Sequence, residues 1–227
     1  MGTPEFAVPS LKTLFDEGYT IPLVITQPDR PAGRGRKLTP PPVKVLSEKL
    51  GIPVYQPEKV KNNEELRELL EKISPDLIVV AAYGKILPKW LLEIPKHGVI
   101  NVHASLLPKY RGASPIQSAL LAGEEETGVT IMKVTEKLDA GDILSQRRVK
   151  IEEKDNAQTL HDKLAREGAL LLKETIPPYV SGKLKPVPQN EKEATYCFQI
   201  KKKMGKIDWR KGAREIFNMV RAFTPWP

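Results

Sequence analysis

The sequence predicts an α/β fold, a doubly wound and mostly parallel sheet with helices on both faces. Between Thr20 and Ile151, short apolar runs rich in Val and Ile alternate with segments whose apolar residues recur at helical spacing. Two of the runs are apolar at successive positions, as in strands that are buried on both faces. This alternation favours parallel crossovers, and in such sheets ligands bind beyond the carboxyl ends of the strands.

The elements follow from composition and from their boundary residues. Strands are predicted at residues 21–26, 76–82, 98–103 and 129–134. Helices are predicted at residues 4–17, 63–73, around 90–92, 114–121, 155–179 and 213–223. We expect Ser114 to cap its helix, with Pro115 in the first turn, and the Pro177-Pro178 pair to stop the long helix.

Three segments are expected along the chain. Residues 1–182 form the α/β domain, residues 183–206 form a charged linker with Pro186 and Pro188, and residues 207–227 begin a further domain. The chain also looks cut short at both ends. A doubly wound sheet normally opens with an apolar strand, which we expect immediately before residue 1, and the chain stops on Trp226-Pro227 without a following element.

Composition narrows the class of protein. Cys197 is the only cysteine, so no intrachain disulfide can form, and no cluster has metal-ligand spacing. We find neither a signal-peptide pattern nor an apolar run of about 18 residues, so we expect a cytoplasmic protein with no membrane contact. The net charge of +8 suits a polyanionic partner without identifying one.

The most informative stretch is the end of the third predicted strand. Period-two alternation puts Asn101 and His103 on one face and Val102 on the other. An amide and an imidazole can then converge on one small group, polarising a carbonyl and moving a proton. The alternative is a strand end whose polar side chains only satisfy loop backbone.

Two further loops contain candidate site residues. Asp139 lies in a Gly-containing loop after the fourth predicted strand, where a carboxylate can orient an imidazole or relay a proton. Taken alone, this segment favours an ordinary Asx turn. Tyr83-Gly84 follows another buried strand, and Ile86 and Leu87 could wall a flat aromatic ligand.

Residues 28–42 are unusually rich in proline and cationic side chains. Neither a helix nor a central strand accommodates this composition, so we predict an exposed loop. A proline-stiffened basic loop can clamp phosphates at a low entropic cost; the alternative is a solvated surface loop.

These motifs together resemble the formyltransferase family that uses 10-formyltetrahydrofolate. The resemblance covers the chain from end to end, with all motifs in the family's order. They are Gly2-Thr3-Pro4-Glu5-Phe6-Ala7, Thr26 to Gly35, Ala82-Tyr83-Gly84 with Ile86-Leu87-Pro88, Asn101-Val102-His103 with Ser105-Leu106-Leu107-Pro108, Glu126-Thr127-Gly128-Val129-Thr130, and Leu138-Asp139-Ala140-Gly141-Asp142.

The resemblance implies a Rossmann-like formyltransferase domain followed by the start of a tRNA-binding domain. It implies transfer of the formyl group of 10-formyltetrahydrofolate to the α-amine of initiator methionyl-tRNA for translation initiation, without a metal, by a protein we expect to be monomeric. Asn101, His103 and Asp139 would be catalytic. The implied folate contacts are Ser105, Leu106, Leu107, Pro108, Ile86, Leu87, Pro88, Ala140 and Gly141, and the implied tRNA contacts are Arg30, Arg34, Arg36 and Lys37.

Other functions stay open at this point. A sister enzyme that formylates an amino sugar nucleotide or a ribosylamine would share the catalytic trio, but a small substrate gives little reason for the basic loop. A non-catalytic RNA-binding domain would explain the charge but not the trio. A nucleotide-dependent dehydrogenase is disfavoured because no Gly-x-Gly-x-x-Gly follows a strand.

Overall fold

A mixed β-sheet flanked by helices organises the chain. The computed structural model describes residues 1–32, 35 and 37–227. The strands are β1 (Val24–Ile25), β2 (Arg30–Ala32), β3 (Lys37–Thr39), β4 (Val54–Tyr55), β5 (Ile78–Ala81), β6 (Val99–His103), β7 (Arg111–Gly112), β8 (Glu126–Lys133), β9 (Ile143–Lys150) and β10 (Tyr196–Cys197). The helices are α1 (Val8–Asp16), α2 (Pro42–Lys49), α3 (Glu64–Ile73), α4 (Lys89–Glu93), α5 (Pro115–Ala122), α6 (Ala157–Val180) and α7 (Ala213–Ala222).

The central sheet has the strand order β5-β6-β8-β9. β5 and β6 are parallel, whereas β8 runs antiparallel to β6 and β9 antiparallel to β8. The predicted α/β fold class is confirmed, with an antiparallel hairpin in the second half of the sheet. β9 escaped prediction because four successive polar residues, Ser145 to Arg148, interrupt its apolar positions, so its sequence neither alternates nor forms an apolar run.

Residues 1 and 2 connect a second pair of strands to this sheet. Gly2 pairs in parallel with Ala81, and its N–H donates to the carbonyl of Ile25 at 3.1 Å. β1 in turn pairs in parallel with β4. The parallel strands therefore continue outward from β5, and β1, β5 and β6 present their carboxyl ends at one edge.

Apolar side chains pack on both faces of the sheet. On one face Ile100, Val102 and Ile131 join a core with α1, α5 and α6. On the other face Val80 and Val99 pack with Leu66 of α3 and Leu91 of α4. Successive residues of β6 thus belong to opposite cores, as the period-two reading requires.

The helix boundaries depend on caps and prolines. Asn63 caps α3, since its side chain accepts from the Leu66 N–H at 2.9 Å. Ser114 occupies the predicted N-cap position of α5, but its hydroxyl makes no capping hydrogen bond. α6 runs through Pro177 and Pro178 to Val180, so the predicted stop is wrong. Both prolines lie in its last turn, where the carbonyls that lose a donor belong to the exposed residues Lys173 and Glu174.

The segment predicted as a linker packs against the α/β domain. β10 pairs in parallel with β7, and the Thr195 N–H donates to the Pro108 carbonyl at 3.2 Å. Farther along, Ala222 of α7 is fully buried in the core that contains α5. The domain limits at residues 182 and 206 stay a prediction.

Within the described ranges, none of the helices combines the length and the apolar character needed to cross a bilayer.

Candidate active site

His103 ends β6 as a buried side chain with a fixed orientation. It is 5% exposed, and its Nε2 lies 3.0 Å from the Tyr110 carbonyl oxygen. A carbonyl oxygen can only accept, so Nε2 carries the hydrogen and Nδ1 is the free nitrogen of the neutral ring. Nδ1 lies 3.8 Å from Oδ2 of Asp139. The Tyr110 carbonyl thus sets the orientation of the ring and turns Nδ1 toward the carboxylate.

Asp139 reaches His103 by an unexpected route. β8 is antiparallel to β6, and the Val134 N–H donates to the Val99 carbonyl, so the following loop leaves the sheet at the start of β6. Asp139 nevertheless contacts the ring at the far end of β6. The loop therefore runs back along the face that carries Asn101 and His103.

The backbone at Asp139 is held in the left-handed region, with φ 46°. This conformation costs most residues about 1–2 kcal/mol, and aspartate is among those that tolerate it best. The carboxylate Oδ2 also accepts from the Gly112 N–H at 2.9 Å. That hydrogen bond fixes the oxygen that faces His103.

Asn101 lies two residues before His103 on the same face and is partly exposed. Its side chain forms no hydrogen bond with another described residue. The amide is therefore available to a ligand, two residues from the imidazole of His103. The structure brings the three predicted catalytic residues to one face of β6.

The turn at residues 105–108 is held by a buried hydroxyl that sequence reasoning gave no role. Thr130 of β8 donates to the Ser105 carbonyl at 2.6 Å and accepts from the Leu107 N–H at 3.1 Å. Gln146 of β9 donates to Thr130 Oγ1 at 2.9 Å and to the Leu107 carbonyl at 2.8 Å. The antiparallel hairpin thus shapes this turn. The feature of the sequence that could have indicated this role is a polar threonine within an otherwise apolar strand.

The predicted folate contacts differ in exposure. Ile86 is 92% exposed, whereas Leu87 and Leu107 are buried. Leu138, which is outside the predicted set but precedes Asp139, is 62% exposed. Ser105 is also buried, and its hydroxyl donates to the Lys109 carbonyl at 2.6 Å. The buried residues of the set stabilise the loops from inside, and the exposed Ile86 presents apolar surface to a ligand. Leu106, Pro108, Pro88 and Ala140 are partly exposed, and Gly141 is buried.

The basic segment forms a hairpin where a loop was predicted. β2 and β3 pair antiparallel, with Arg30 opposite Thr39 and Pro31 opposite Leu38. The outward-facing backbone groups of a two-stranded ribbon take part in no ladder hydrogen bond, so a proline, which lacks the N–H, is tolerated there. Arg30 and Lys37 are exposed, and Arg30 pairs with Glu58 at 3.3 Å. Two of the predicted tRNA contacts, Arg34 and Arg36, lie outside the described residues.

The hairpin begins at the sheet edge that carries the catalytic residues. Gln27, which follows β1, donates to the Tyr83 carbonyl at 2.8 Å and so joins the two loops. A Cβ at Gly84 would lie 2.7 Å from the Gln27 amide nitrogen, and φ there is 76°. Only glycine fits this approach without strain. Tyr83 itself is buried, which raises its pKa to about 12.

Several residues of the site were not predicted from the sequence. Tyr110 supplies the carbonyl that binds His103 and donates its hydroxyl to Glu124 at 2.7 Å. Arg111 is 1% exposed and bonds to Gln189, whose amide reaches the Asp139 loop. No local pattern marks Gln189, because its partners lie about fifty and eighty residues away.

Cys197 lies beside this site, in contact with the residues that follow the His103 turn. Its Sγ lies 3.4 Å from the Tyr110 carbonyl and 3.3 Å from that of Arg111. Burial raises the pKa of the thiol, so the nucleophilic thiolate is disfavoured. Across the described part of the chain, no group of three or more His, Cys, Asp or Glu side chains could hold a metal ion.

Comparison with known proteins identifies the family. A family model described as formyl transferase matches residues 1–176, and one described as formyl transferase, C-terminal domain, matches residues 199–227. The chain belongs to the formyl transferase family. A methionyl-tRNA formyltransferase of Geobacillus sp. (strain WCH70) is 57% identical over all 227 residues, which span 71% of that relative. One of Caldanaerobacter subterraneus subsp. tengcongensis is 56% identical, with 74% of its length covered.

Formyl transferases of known structure share the fold at lower identity. The sugar 3N-formyl transferase WlaRD, solved in the presence of dTDP and 5-N-formyl-THF, aligns with TM-score 0.74 and 23% identity over 98% of this chain and 77% of that one. The N-formyltransferase of Helicobacter canadensis, in complex with folinic acid and dTDP-3-aminofucose, aligns with TM-score 0.74 and 24% identity over 98% and 78%. At these identities the likeness concerns the fold alone.

Proposed function

We propose that this formyl transferase transfers the formyl group of 10-formyltetrahydrofolate to the α-amine of initiator methionyl-tRNA. The observation that carries the proposal is the identity of 57%, over the whole chain, with a relative named methionyl-tRNA formyltransferase. The exposed basic hairpin beside the site and the net charge of +8 also support a polyanionic acceptor.

Asn101, His103 and Asp139 are the proposed catalytic residues. The folate supplies the formyl group. The amide N–H of Asn101 and the imidazole of His103 stabilise the negative charge that develops on the formyl oxygen. Asp139 orients His103, which the 3.8 Å separation supports, and helps to relay the proton of the attacking amine toward the nitrogen of the departing tetrahydrofolate. Direct attack by a positioned amine needs no covalent enzyme intermediate.

The folate is proposed to bind between the loop of Ile86-Leu87-Pro88 and the loop of Ala140-Gly141, above the turn of residues 105–108. Ile86 and Leu138 support this location, since both are large apolar side chains left exposed on these loops. Flat aromatic ligands bind apolar walls whose few polar groups fix orientation. Backbone groups of the turn supply such polar contacts.

The acceptor end of the tRNA is proposed to lie along the hairpin, with Arg30, Arg34, Arg36 and Lys37 on its phosphates. Proteins read RNA ends mainly through shape and unpaired nucleotides. We further propose that the protein acts as a monomer in the cytoplasm; its mass in solution by light scattering tests the first point, and fractionation of cells tests the second.

A competition among acceptor amines tests the proposal. The protein is incubated with 10-formyltetrahydrofolate, charged initiator tRNA and an amino sugar nucleotide, and the formylated amine is identified by mass spectrometry. We expect the methionyl ester to be formylated. Formylation of the sugar alone would support the sister activity, and tRNA binding without any formylation would support a non-catalytic RNA-binding domain.

A further inference from the structure

We propose that Gln189 and Arg111 are positioning residues that set the geometry of Asp139, and that residues 189–197 therefore belong to the active site. This inference rests on the proposed function, because it concerns the same catalytic aspartate. Gln189 lies in the segment predicted to be a linker, and Arg111 lies in β7.

Gln189 holds the backbone on both sides of Ala140. Its single amide nitrogen donates to the Asp139 carbonyl at 2.9 Å and to the Gly141 carbonyl at 2.7 Å. The amide has two hydrogens, so both contacts can form together. They fasten the loop at the residue whose left-handed backbone directs the catalytic carboxylate.

Arg111 fixes which way the Gln189 amide points. Its Nε and Nη2 both donate to the Gln189 side-chain oxygen, at 3.1 and 2.8 Å. Arginine offers donors only, and the loop carbonyls only accept, so a flipped amide would be repelled at both ends. The amide orientation is therefore determined by chemistry as well as by shape.

Arg111 is itself anchored by the same distant segment. Its guanidinium donates to both carboxylate oxygens of Glu191, at 3.1 and 2.9 Å, and to the Tyr196 hydroxyl at 3.3 Å. Such a two-point contact fixes direction as well as distance. The next residue, Gly112, gives its N–H to the Asp139 carboxylate. β7 thus holds Asp139 at its side chain directly and at its carbonyl through Gln189.

The decisive substitution is Gln189→Glu, which keeps the shape and the acceptor for Arg111 but removes both donors to the loop. We expect kcat for formyl transfer to fall about tenfold or more, because two part-buried carbonyls then face a carboxylate. We expect KM for the folate to rise less than kcat falls, because Gln189 reaches the proposed folate loop only at the Gly141 carbonyl but holds the carbonyl of the catalytic Asp139 directly. Gln189→Ala, which adds no charge, should lower kcat less.

The matched control is Gln158→Glu, an identical change at an exposed residue in the first turn of α6. It should leave kcat and thermal stability near their wild-type values. A kcat of Gln189→Glu within twofold of wild type overturns the proposal. It is also overturned if the loss of activity merely matches a loss of folded protein, measured by circular dichroism at the assay temperature.

A second measurement separates this inference from the proposed function. The chain has three histidines, so the imidazole nitrogen resonances of His103 can be followed beside those of His97 and His161. Gln189→Glu should shift the His103 resonances and leave the other two unchanged, whatever substrate is used. If wild-type protein formylates nothing but this shift occurs, the proposed function fails and the positioning role stands. An unchanged His103 signal overturns the positioning role.

Discussion

At the residue scale, the proposed chemistry depends on the orientation of the His103 ring. The Tyr110 carbonyl takes the Nε2 hydrogen, which leaves Nδ1 facing the Asp139 carboxylate at 3.8 Å. The Gly112 N–H holds that carboxylate from the other side at 2.9 Å. Because both neighbours only accept hydrogen bonds, the hydrogen bond from Nε2 to the Tyr110 carbonyl sets the orientation of the ring.

Asp139→Asn keeps the size of the side chain and removes its charge. We expect kcat for formyl transfer to fall by about a hundredfold or more, since acid–base groups contribute roughly 10²–10⁴ to rate. Folate binding and the unfolding temperature should change little. The measurements are single-turnover formylation at saturating folate and a thermal melt.

Asp142→Asn is the control for this substitution, in the same loop three residues away. Its side chain makes no hydrogen bond to a described residue, so the variant should retain wild-type kcat. Equal losses in the two variants would mean that the loop, and not the carboxylate of Asp139, is sensitive to substitution.

Part of this site could be predicted from the sequence, and the rest could not, for a physical reason. Alternation along a strand is a local property, so the shared face of Asn101 and His103 follows from their spacing. The roles of Tyr110 and Gln189 depend on a backbone carbonyl and on partners distant in sequence. Nothing in their neighbouring residues encodes such contacts.

At the element scale, the two-residue pairing of β7 with β10 allows no side chain at Gly112. A Cβ there would lie 2.2 Å from the Cys197 carbonyl oxygen, and φ is 119°. We expect Gly112→Ala to lower the free energy of unfolding by about 3 kcal/mol or more, from strain and overlap together. Urea denaturation gives the value, and formyl transfer should fall as well because Gly112 holds Asp139.

Gly182→Ala separates backbone strain from steric overlap. Gly182 also has a positive φ, 73°, but nothing lies within 4 Å of the position of its Cβ. Only the cost of the left-handed backbone, about 1–2 kcal/mol, should appear there. If both variants lose the same stability, overlap with Cys197 plays no part.

The start of α6 should make stability sensitive to acid. Burial alone raises the pKa of Asp155, but hydrogen bonds from Lys163, from the Glu152 N–H and from Thr159 outweigh it and lower the pKa below 3.8. The folded pKa is lower than the unfolded one, so this stabilisation is complete above the unfolded value and is lost as pH falls through the folded value. Asp155→Asn should therefore reduce stability near pH 7 and flatten the decline of stability below about pH 4.

Hydrogen bonds to a charged group contribute roughly 1.5–3 kcal/mol, which sets the expected loss for Asp155→Asn at neutral pH. Asp16→Asn is the matched control, because its ion pair with Lys12 is half-exposed on the surface of α1 and such pairs contribute about 0–1 kcal/mol. Denaturation in urea at several pH values provides the comparison. An acid slope in Asp155→Asn as steep as in wild type would contradict the assignment.

The length and the residue pattern of each element explain which elements were predicted. α3 and α6 carry long apolar periodicities, so they could be located from sequence, whereas the direction of β8 could not. An apolar strand has the same composition whether its neighbour is parallel or antiparallel. The polar outer strand β9 and the proline-containing hairpin of β2 and β3 depend on partners outside their own sequence.

At the scale of the whole molecule, the parallel strands bring several distant segments to one edge. The hairpin follows β1, the Tyr83 loop follows β5, and His103 ends β6. A net charge of +8 gives the molecule a general attraction for polyanions, but only charges near this edge can direct one toward His103. General attraction and local contact should therefore be separable by experiment.

Arg30→Ala and Lys37→Ala test the local contact. Each variant should raise KM for charged tRNA and reduce the slope of log affinity against log salt by about one, because each removes one phosphate contact. KM for the folate should not change, since the hairpin lies outside the proposed folate site. Lys72→Ala, which removes one exposed charge from the last turn of α3, is the charge-matched control. If it lowers the slope as much as the hairpin variants, tRNA responds to net charge alone; a change in folate KM would instead place the hairpin at the folate.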